Sequence, residues 1–302
     1  MAAGSRAPQY YDKLLSALAD CADQAALAEL NRELSAKVRL LYLSVHGREI
    51  PQLQEPQPRG GGGASPATVG PTVRVVIPFR ARQDAQLRVR NLQACLDALG
   101  HQTLDRRNFH VTLVESDSIP RHAATFARQV DSYVHHPDGG PFNKAAAVNR
   151  GAEEATGETV LCVLDADIVL PPAFLAAAAG AVTSGAPLIP YEDAFCLDAE
   201  SSDRLALTPP HRLDGTWSGY LLRRPPGGCV MVTAADFHAL RGFDTRFAGW
   251  GGEDRDFVNR LESRGTVGRL PGLLLHLLHE RPEMSDDHDG IMRAALAKGR
   301  QP

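Results

Sequence analysis

Between residues 73 and 164 the chain alternates short apolar runs with stretches whose apolar residues recur every three or four positions. Val73-Arg-Val-Val-Ile77 is β-branched and runs into Pro78, so it reads as a strand that ends there. Gln83 to Leu99 has helical spacing and closes at Gly100, as helices commonly do. His110-Val-Thr-Leu-Val-Glu115 is a second strand, Asn143 to Ala155 a further amphipathic segment, and Thr159-Val-Leu-Cys-Val-Leu164 a continuously apolar strand that predicts burial on both faces. Strands alternating with helices predict an α/β fold with a mostly parallel sheet, helices on both faces, and ligands at the carboxyl ends of the strands.

The N-terminal part has a different pattern. From Tyr10 to about Val45, apolar residues at Leu14, Leu15, Leu18, Ala22, Ala26, Leu30, Leu34, Val38, Leu41 and Tyr42 follow helical spacing, with a break near Asp20–Gln24. Glu55 to Pro71 carries four consecutive glycines among prolines, which hold neither a helix nor a central strand. The chain therefore divides into a helical arm over 1–54, a Pro/Gly-rich linker over 55–71 and a catalytic domain over 72–302. The arm offers a surface for homo-oligomerisation.

Composition narrows the partners. The 302 residues are 43% hydrophobic with a formal charge of −4, so no broad basic field exists for nucleic acid, although clusters at Arg80–Arg90 and Arg223–Arg224 suit a phosphate. No apolar run approaches the roughly 18–20 residues of a membrane span, and the first residues lack the apolar core of a signal peptide. A cytoplasmic location is expected. The five cysteines, Cys21, Cys95, Cys162, Cys196 and Cys229, are scattered without a C-x-x-C spacing and read as reduced small hydrophobes.

Four segments carry chemistry. Phe247-Ala-Gly-Trp-Gly-Gly-Glu-Asp-Arg-Asp256 places Glu253, Asp254 and Asp256 in the first turn of a helix behind a glycine turn; the helix dipole favours acids there, so an acidic helix start and a reactive carboxylate are both open. Ile77-Pro-Phe-Arg-Ala-Arg82 ends the first strand with two guanidinium groups able to meet a base or pyrophosphate. Leu164-Asp-Ala-Asp-Ile168 ends the buried strand with two acids that alternation would point to one side, where a divalent cation would compensate them. His276 and His279 leave an apolar run, Leu273-Leu-Leu-His-Leu-Leu-His279, and an Asp-plus-His set suits Mn²⁺ better than Ca²⁺.

In this order the segments resemble the β1,4-galactosyltransferase family (family 7 type) and the related bacterial chondroitin-polymerase type of transferase. The anchors are Val76-Ile-Pro-Phe-Arg-Ala-Arg-Gln83, Phe142-Asn-Lys-Ala-Ala-Ala-Val-Asn-Arg-Gly151, Leu164-Asp-Ala-Asp-Ile168, and Gly227-Gly-Cys-Val-Met-Val-Thr233 continuing to Gly242-Phe-Asp244 and Trp250-Gly-Gly-Glu-Asp254. The resemblance implies a Rossmann-like GT-A fold, a UDP-sugar donor, a divalent cation with Mn²⁺ before Mg²⁺, and transfer with inversion to a sugar, peptide or small-molecule acceptor. It assigns Pro78, Phe79, Arg80, Arg82, Asn143, Lys144, Asp165, Ala166 and Trp250 to the nucleotide sugar and Asp167 to the metal with His279. His276 stands where the family has a methionine ligand. Asp254 falls at the general base, Glu253 beside it for catalysis and the acceptor, and Gly227 and Gly228 at the acceptor site. Arg255 and Ala248 replace a third acid and a tryptophan of animal members, and Tyr191 to Arg224 reads as an insertion. A retaining polypeptide N-acetylgalactosaminyltransferase-like enzyme is the enzymatic alternative, though that family carries Asn at Asp254. A non-catalytic nucleotide-sugar-binding scaffold is the alternative of another class.

Overall fold

The computed structural model describes residues 42–49, 71–82, 85–207, 216–249 and 251–280. In chain order the strands are β1 (Tyr42–Glu49), β2 (Val73–Phe79), β3 (Phe109–Asp117), β4 (Ser132–Pro137), β5 (Val160–Leu164), β6 (Ile168–Val169), β7 (Leu188–Ile189), β8 (Asp193–Leu197), β9 (Thr216–Arg223), β10 (Cys229–Thr233), β11 (Gly268–Arg269) and β12 (Leu273–His276). The helices are α1 (Gln86–Gly100), α2 (Ala123–Phe126), α3 (Lys144–Ala152), α4 (Phe174–Thr183), α5 (Ala199–Leu207), α6 (Ala234–Ala239) and α7 (Glu253–Glu262).

The main sheet has seven strands in the order β11-β7-β10-β5-β2-β3-β4. β2, β3, β4 and β5 run parallel, and β10 returns antiparallel beside β5. Every residue of β2 and of β5 is buried, because α3 packs across β2 and β3 while α4 packs against β5 and β10. Continuous apolar strands need that double cover. Arg74 is the charged exception within β2. It is 7% exposed, pairs with Glu158 and donates to Thr112 Oγ1 at 3.2 Å, so the charge is not left bare in the core.

A second sheet, β1-β9-β8-β12-β6, is built largely by the segment that reads as an insertion. Tyr191 to Arg224 contributes β8, α5 and β9, and its own small core gathers Phe195, Leu197, Leu205, Trp217 and Leu221 with Val169, Leu275 and Leu277. The helical spacing read through Val45 does not hold at its end: Tyr42–Glu49 is a strand, paired antiparallel with β9. A β-sheet edge overrides local helical patterning. The rest of the arm and the linker lie outside the described residues.

The two sheets meet at one place. β5 ends at Leu164 in the main sheet and β6 begins at Ile168 in the second, so Asp165-Ala166-Asp167 is the crossing between them. Ile168 N–H donates to Asp165 C=O at 3.3 Å, closing a turn. The alternation that predicts both acids on one side therefore does not apply, and the two carboxylates part company. Cys95, Cys162, Cys196 and Cys229 are buried free thiols, as expected; Cys21 lies outside the described residues. Among the described residues no helix is long and apolar enough to cross a membrane.

Candidate active site

Backbone pairing assembles the first cluster. β12 pairs antiparallel with β6 so that His276 faces Ile168, and Leu277 N–H donates to Asp167 C=O at 2.9 Å. This register brings the end of the apolar Leu273–His276 strand to the Asp-x-Asp turn. Asp167, His276 and His279 each offer a ligand atom within 4.8 Å of the others: His279 Nε2 lies 3.3 Å from Asp167 Oδ2 and His276 Nε2 lies 3.6 Å from Oδ1. Burial opposes the charge of Asp167, but His276, His279, Arg88 and Lys144 outweigh it and hold the carboxyl below its usual range.

Three features of this cluster fit a divalent cation. Asp167 Oδ1 is buried and accepts no hydrogen bond, a costly state that a metal relieves. His279 Nδ1 lies 2.8 Å from the Glu280 carbonyl; donation there leaves Nε2 as the lone-pair nitrogen facing Asp167, the orientation that ligating histidines use. The same carbonyl accepts from Arg88 Nη2 at 2.7 Å, while Asn91 Nδ2 donates to the Leu278 carbonyl at 3.0 Å. Helix α1 thus pins the segment that carries His279. In return, Glu280 Oε1 accepts from Leu87 N–H at 3.0 Å, capping a helix whose own N-cap, Ala85, supplies no side-chain bond.

The second cluster forms where α7 starts. Gly252 is its N-cap at φ 99°, preceded by Gly251 at 89°, a backbone that side chains rarely tolerate. The turn aims Glu253 and Asp254 inward, where Lys144 meets them from the first position of α3. Lys144 Nζ donates to Asp254 Oδ2 at 2.8 Å and Oδ1 at 3.0 Å, lies 2.7 Å from Asp165 Oδ1, and stands 3.7 Å from Glu253 Oε1. Burial pushes Asp254 up, Lys144 pulls it down, and Glu253 and Asp165 push it up again, leaving it at about 7. One ammonium facing three carboxylates explains why a paired acid is still raised. Burial also works against the charge of Lys144, but the same three acids hold that ammonium well above its usual range.

Gly227 closes the other side of Asp254. A Cβ built there would overlap Asp254 Oδ2, so the backbone of residues 225–228 touches the carboxylate directly. Tyr191 hydroxyl donates to the Gly227 carbonyl, and Arg269 reaches the carbonyls of Arg224 and Pro225 at 3.2 and 2.9 Å. Gly227→Ala is expected to lower turnover by roughly tenfold or more without changing the thermal midpoint by more than about 2 °C, since misplacing a reacting group by 1 Å can cost about 10²-fold. Steady-state rates beside a melting curve check this; an unchanged rate would show that the loop yields.

The remaining residues assigned from sequence fall into two groups. Asp165, Ala166 and Gly228 lie at the crossing itself; Gly228 C=O accepts from Asp165 N–H at 3.0 Å. Pro78 and Phe79 end β2 in the core, with the Phe79 ring edge-on to His122 and Phe126. Arg80 is 8% exposed: its guanidinium donates to the carbonyls of Ser116, Gly140 and Asp138 and to Asp138 Oδ2, clamping the loops after β3 and β4. Arg82 is exposed. Asn143 is the N-cap of α3, its Oδ1 accepting from Ala146 N–H at 2.8 Å and its Nδ2 donating to Thr245 C=O at 2.7 Å. Trp250 lies outside the described residues. Sequence reasoning passes over Arg88, Asn91, Tyr191 and Arg269, whose contacts are long-range; the one local signal was the missing N-cap of α1.

The chain matches two family models. Glycosyl transferase family 2 matches residues 75–189, and a model described as the N-terminal domain of galactosyltransferase matches residues 220–281. No curated protein matches the chain. Among solved structures, the catalytic domain of Drosophila β1,4-galactosyltransferase 7 with xylobiose, and a mutant of it with manganese, UDP-Gal and xylobiose, are each 17% identical over 74% of this chain and 79% of that one, with a TM-score of 0.44. The first model spans β2 to β7 with the Asp165–Asp167 turn, the second spans Gly227, α7 and the histidines, and the two clusters lie within those spans. The chain is a galactosyltransferase-like glycosyltransferase of the GT-A fold.

Proposed function

We propose that the chain transfers a hexose or N-acetylhexosamine from a UDP-sugar to an acceptor hydroxyl, with inversion, and depends on a divalent cation. The observation that carries this is the continuous chain of contacts Asp254–Lys144–Asp165 beside Asp167–His279–His276: a buried base at one end and a cation site at the other, one turn of backbone apart. Asp167, His279 and His276 would hold the metal, and its mixed oxygen and nitrogen donors favour Mn²⁺, with Mg²⁺ second. A metal there supplies Lewis acidity toward a departing diphosphate.

The protein residues do the rest. Asp254 takes the proton of the acceptor hydroxyl; the acceptor oxygen bonds to the anomeric carbon as the bond from that carbon to the diphosphate oxygen breaks, and UDP leaves. Glu253, 7% exposed, sits beside the base where an acceptor hydroxyl would lie. Lys144 and Asp165 bridge to the diphosphate side. Displacement by the activated hydroxyl inverts the centre, whereas a retaining enzyme has no need of a carboxylate at Asp254.

A panel of UDP- and GDP-sugars, read by release of the nucleoside diphosphate with Mn²⁺ or Mg²⁺, identifies the donor, and NMR of the product's anomeric proton gives the stereochemistry. Release from UDP-sugars with an inverted product is expected. A retained product would move the chain to the polypeptide N-acetylgalactosaminyltransferase-like mechanism, and binding without any release would make it a nucleotide-sugar-binding scaffold.

His279→Ala is expected to weaken metal-supported turnover by more than tenfold and His276→Ala by less. His279 is nearer to Asp167 and oriented by Glu280, and losing such an orienting partner alone costs about 10–100-fold. Metal titrations of the rate distinguish them; the reverse order would make His276 the principal ligand.

A further inference from the structure

Lys144 occupies a position that helix electrostatics disfavour. It is the first residue of α3, after the Asn143 cap, where the positive end of the helix dipole repels a cation. Its side chain is nevertheless 11% exposed and meets carboxylates from two other elements, Asp165 from the β5–β6 turn and Asp254 and Glu253 from α7. Both oxygens of Asp254 bond to its ammonium, and Gly227 blocks the carboxylate from swinging the other way. No local gain to α3 accounts for this lysine; its partners do.

We propose that Lys144 is a positioning residue for the base: its ammonium keeps Asp254 ionised, fixes the direction of its carboxylate, and ties it to Asp165 on the donor side. This rests on the reading of Asp254 as the proton acceptor. The groups facing Asp254 are Lys144 from α3, Asp165 from the β5–β6 turn, Glu253 from its own helix and Tyr191 from the segment before β8, with Cys229 of β10 behind Asp165. Lys144 is the sole cation among them. Without it, a buried Asp254 beside two other acids retains its proton to higher pH. Burial and those acids already bring Asp254 to about 7 against the pull of Lys144, so loss of the cation removes the base form from the neutral range.

The test is a carbon-13 NMR titration of the Asp254 carboxyl in the full chain with Mg²⁺, its resonance assigned by loss in Asp254→Asn, together with the pH dependence of kcat/KM. Lys144→Met is expected to raise the Asp254 midpoint by roughly one pH unit or more and to carry the acidic limb of the rate profile with it. Lys144→Arg is expected to keep both near wild type, because it restores the charge. Should Lys144→Met fail to fold, Lys144→Gln serves, being polar but uncharged. An unmoved midpoint in the uncharged variant would overturn the proposal. A moved midpoint with an unmoved rate limb would instead overturn Asp254 as the base, leaving the ion pair standing.

Discussion

Asp254→Asn is expected to lower sugar transfer by about 10²–10⁴-fold while UDP-sugar affinity stays within a few-fold, the amount a general base typically contributes. The amide preserves the size of the carboxyl and part of its contact with Lys144, so what is lost is basicity. Asp254 lies 100 residues from Lys144's helix partner Gly151's neighbourhood only in sequence terms; in space its carboxylate touches Lys144 and Gly227, and neither is a metal ligand. Donor binding and transfer therefore separate. The wild-type pH profile follows from the same carboxyl. Below about 7 Asp254 holds its own proton and cannot accept another, so kcat/KM should rise with pH through about 7, and the acidic limb should vanish in the Asn variant. Initial rates across pH, beside calorimetry with the UDP-sugar, measure both. A variant that transfers at near wild-type rate would mean that the acceptor's proton goes elsewhere; one that no longer binds donor would make the Gly251–Asp254 turn part of the donor pocket.

The parts legible in the sequence are those set by local pattern. β2, β5, α3 and α7 follow from apolar runs, helical spacing and the acidic start at Glu253, and each appears within a few residues of its expected bounds. The clustering of Asp167 with His276 and His279 was legible from residue type and from the resemblance. What local pattern could not hold is pairing at a distance. Asp165 and Asp167 diverge because the chain leaves one sheet and enters another between them, and no alternation rule contains that switch. Tyr42–Glu49 is a strand because β9 lies beside it, against its helical spacing. Arg80 clamps three loop carbonyls that the chain supplies 36 to 60 residues later, so its phosphate-like neighbourhood in sequence says little about its place in space. Lys144 shows the same limit: its residue type is plain, but the three carboxylates that define its work come from residues 165, 253 and 254.

Asp167→Ala is expected to abolish the dependence of UDP binding on a divalent cation and to weaken that binding by at least about tenfold, because the carboxylate is the site's anionic ligand. Two imidazoles alone are neutral donors. Without Asp167 they face a cavity with no charge to balance a dication, and His279 and His276 lose the partner that lies 3.3 and 3.6 Å away. The substitution also removes the buried oxygen that accepts no hydrogen bond, so folding is not expected to suffer; removing an unsatisfied group by an apolar one is close to neutral or stabilising. That opposition is the useful part: a purely structural aspartate would lower the melting midpoint when lost, whereas a ligand kept for function would leave it level or raise it. Calorimetry of UDP binding with Mn²⁺ and with EDTA, on wild type and variant, together with a melting curve, measures the whole pattern. Equal UDP affinity with and without the cation in the wild type would remove the metal from this site, and a variant that melts much lower would return Asp167 to the fold.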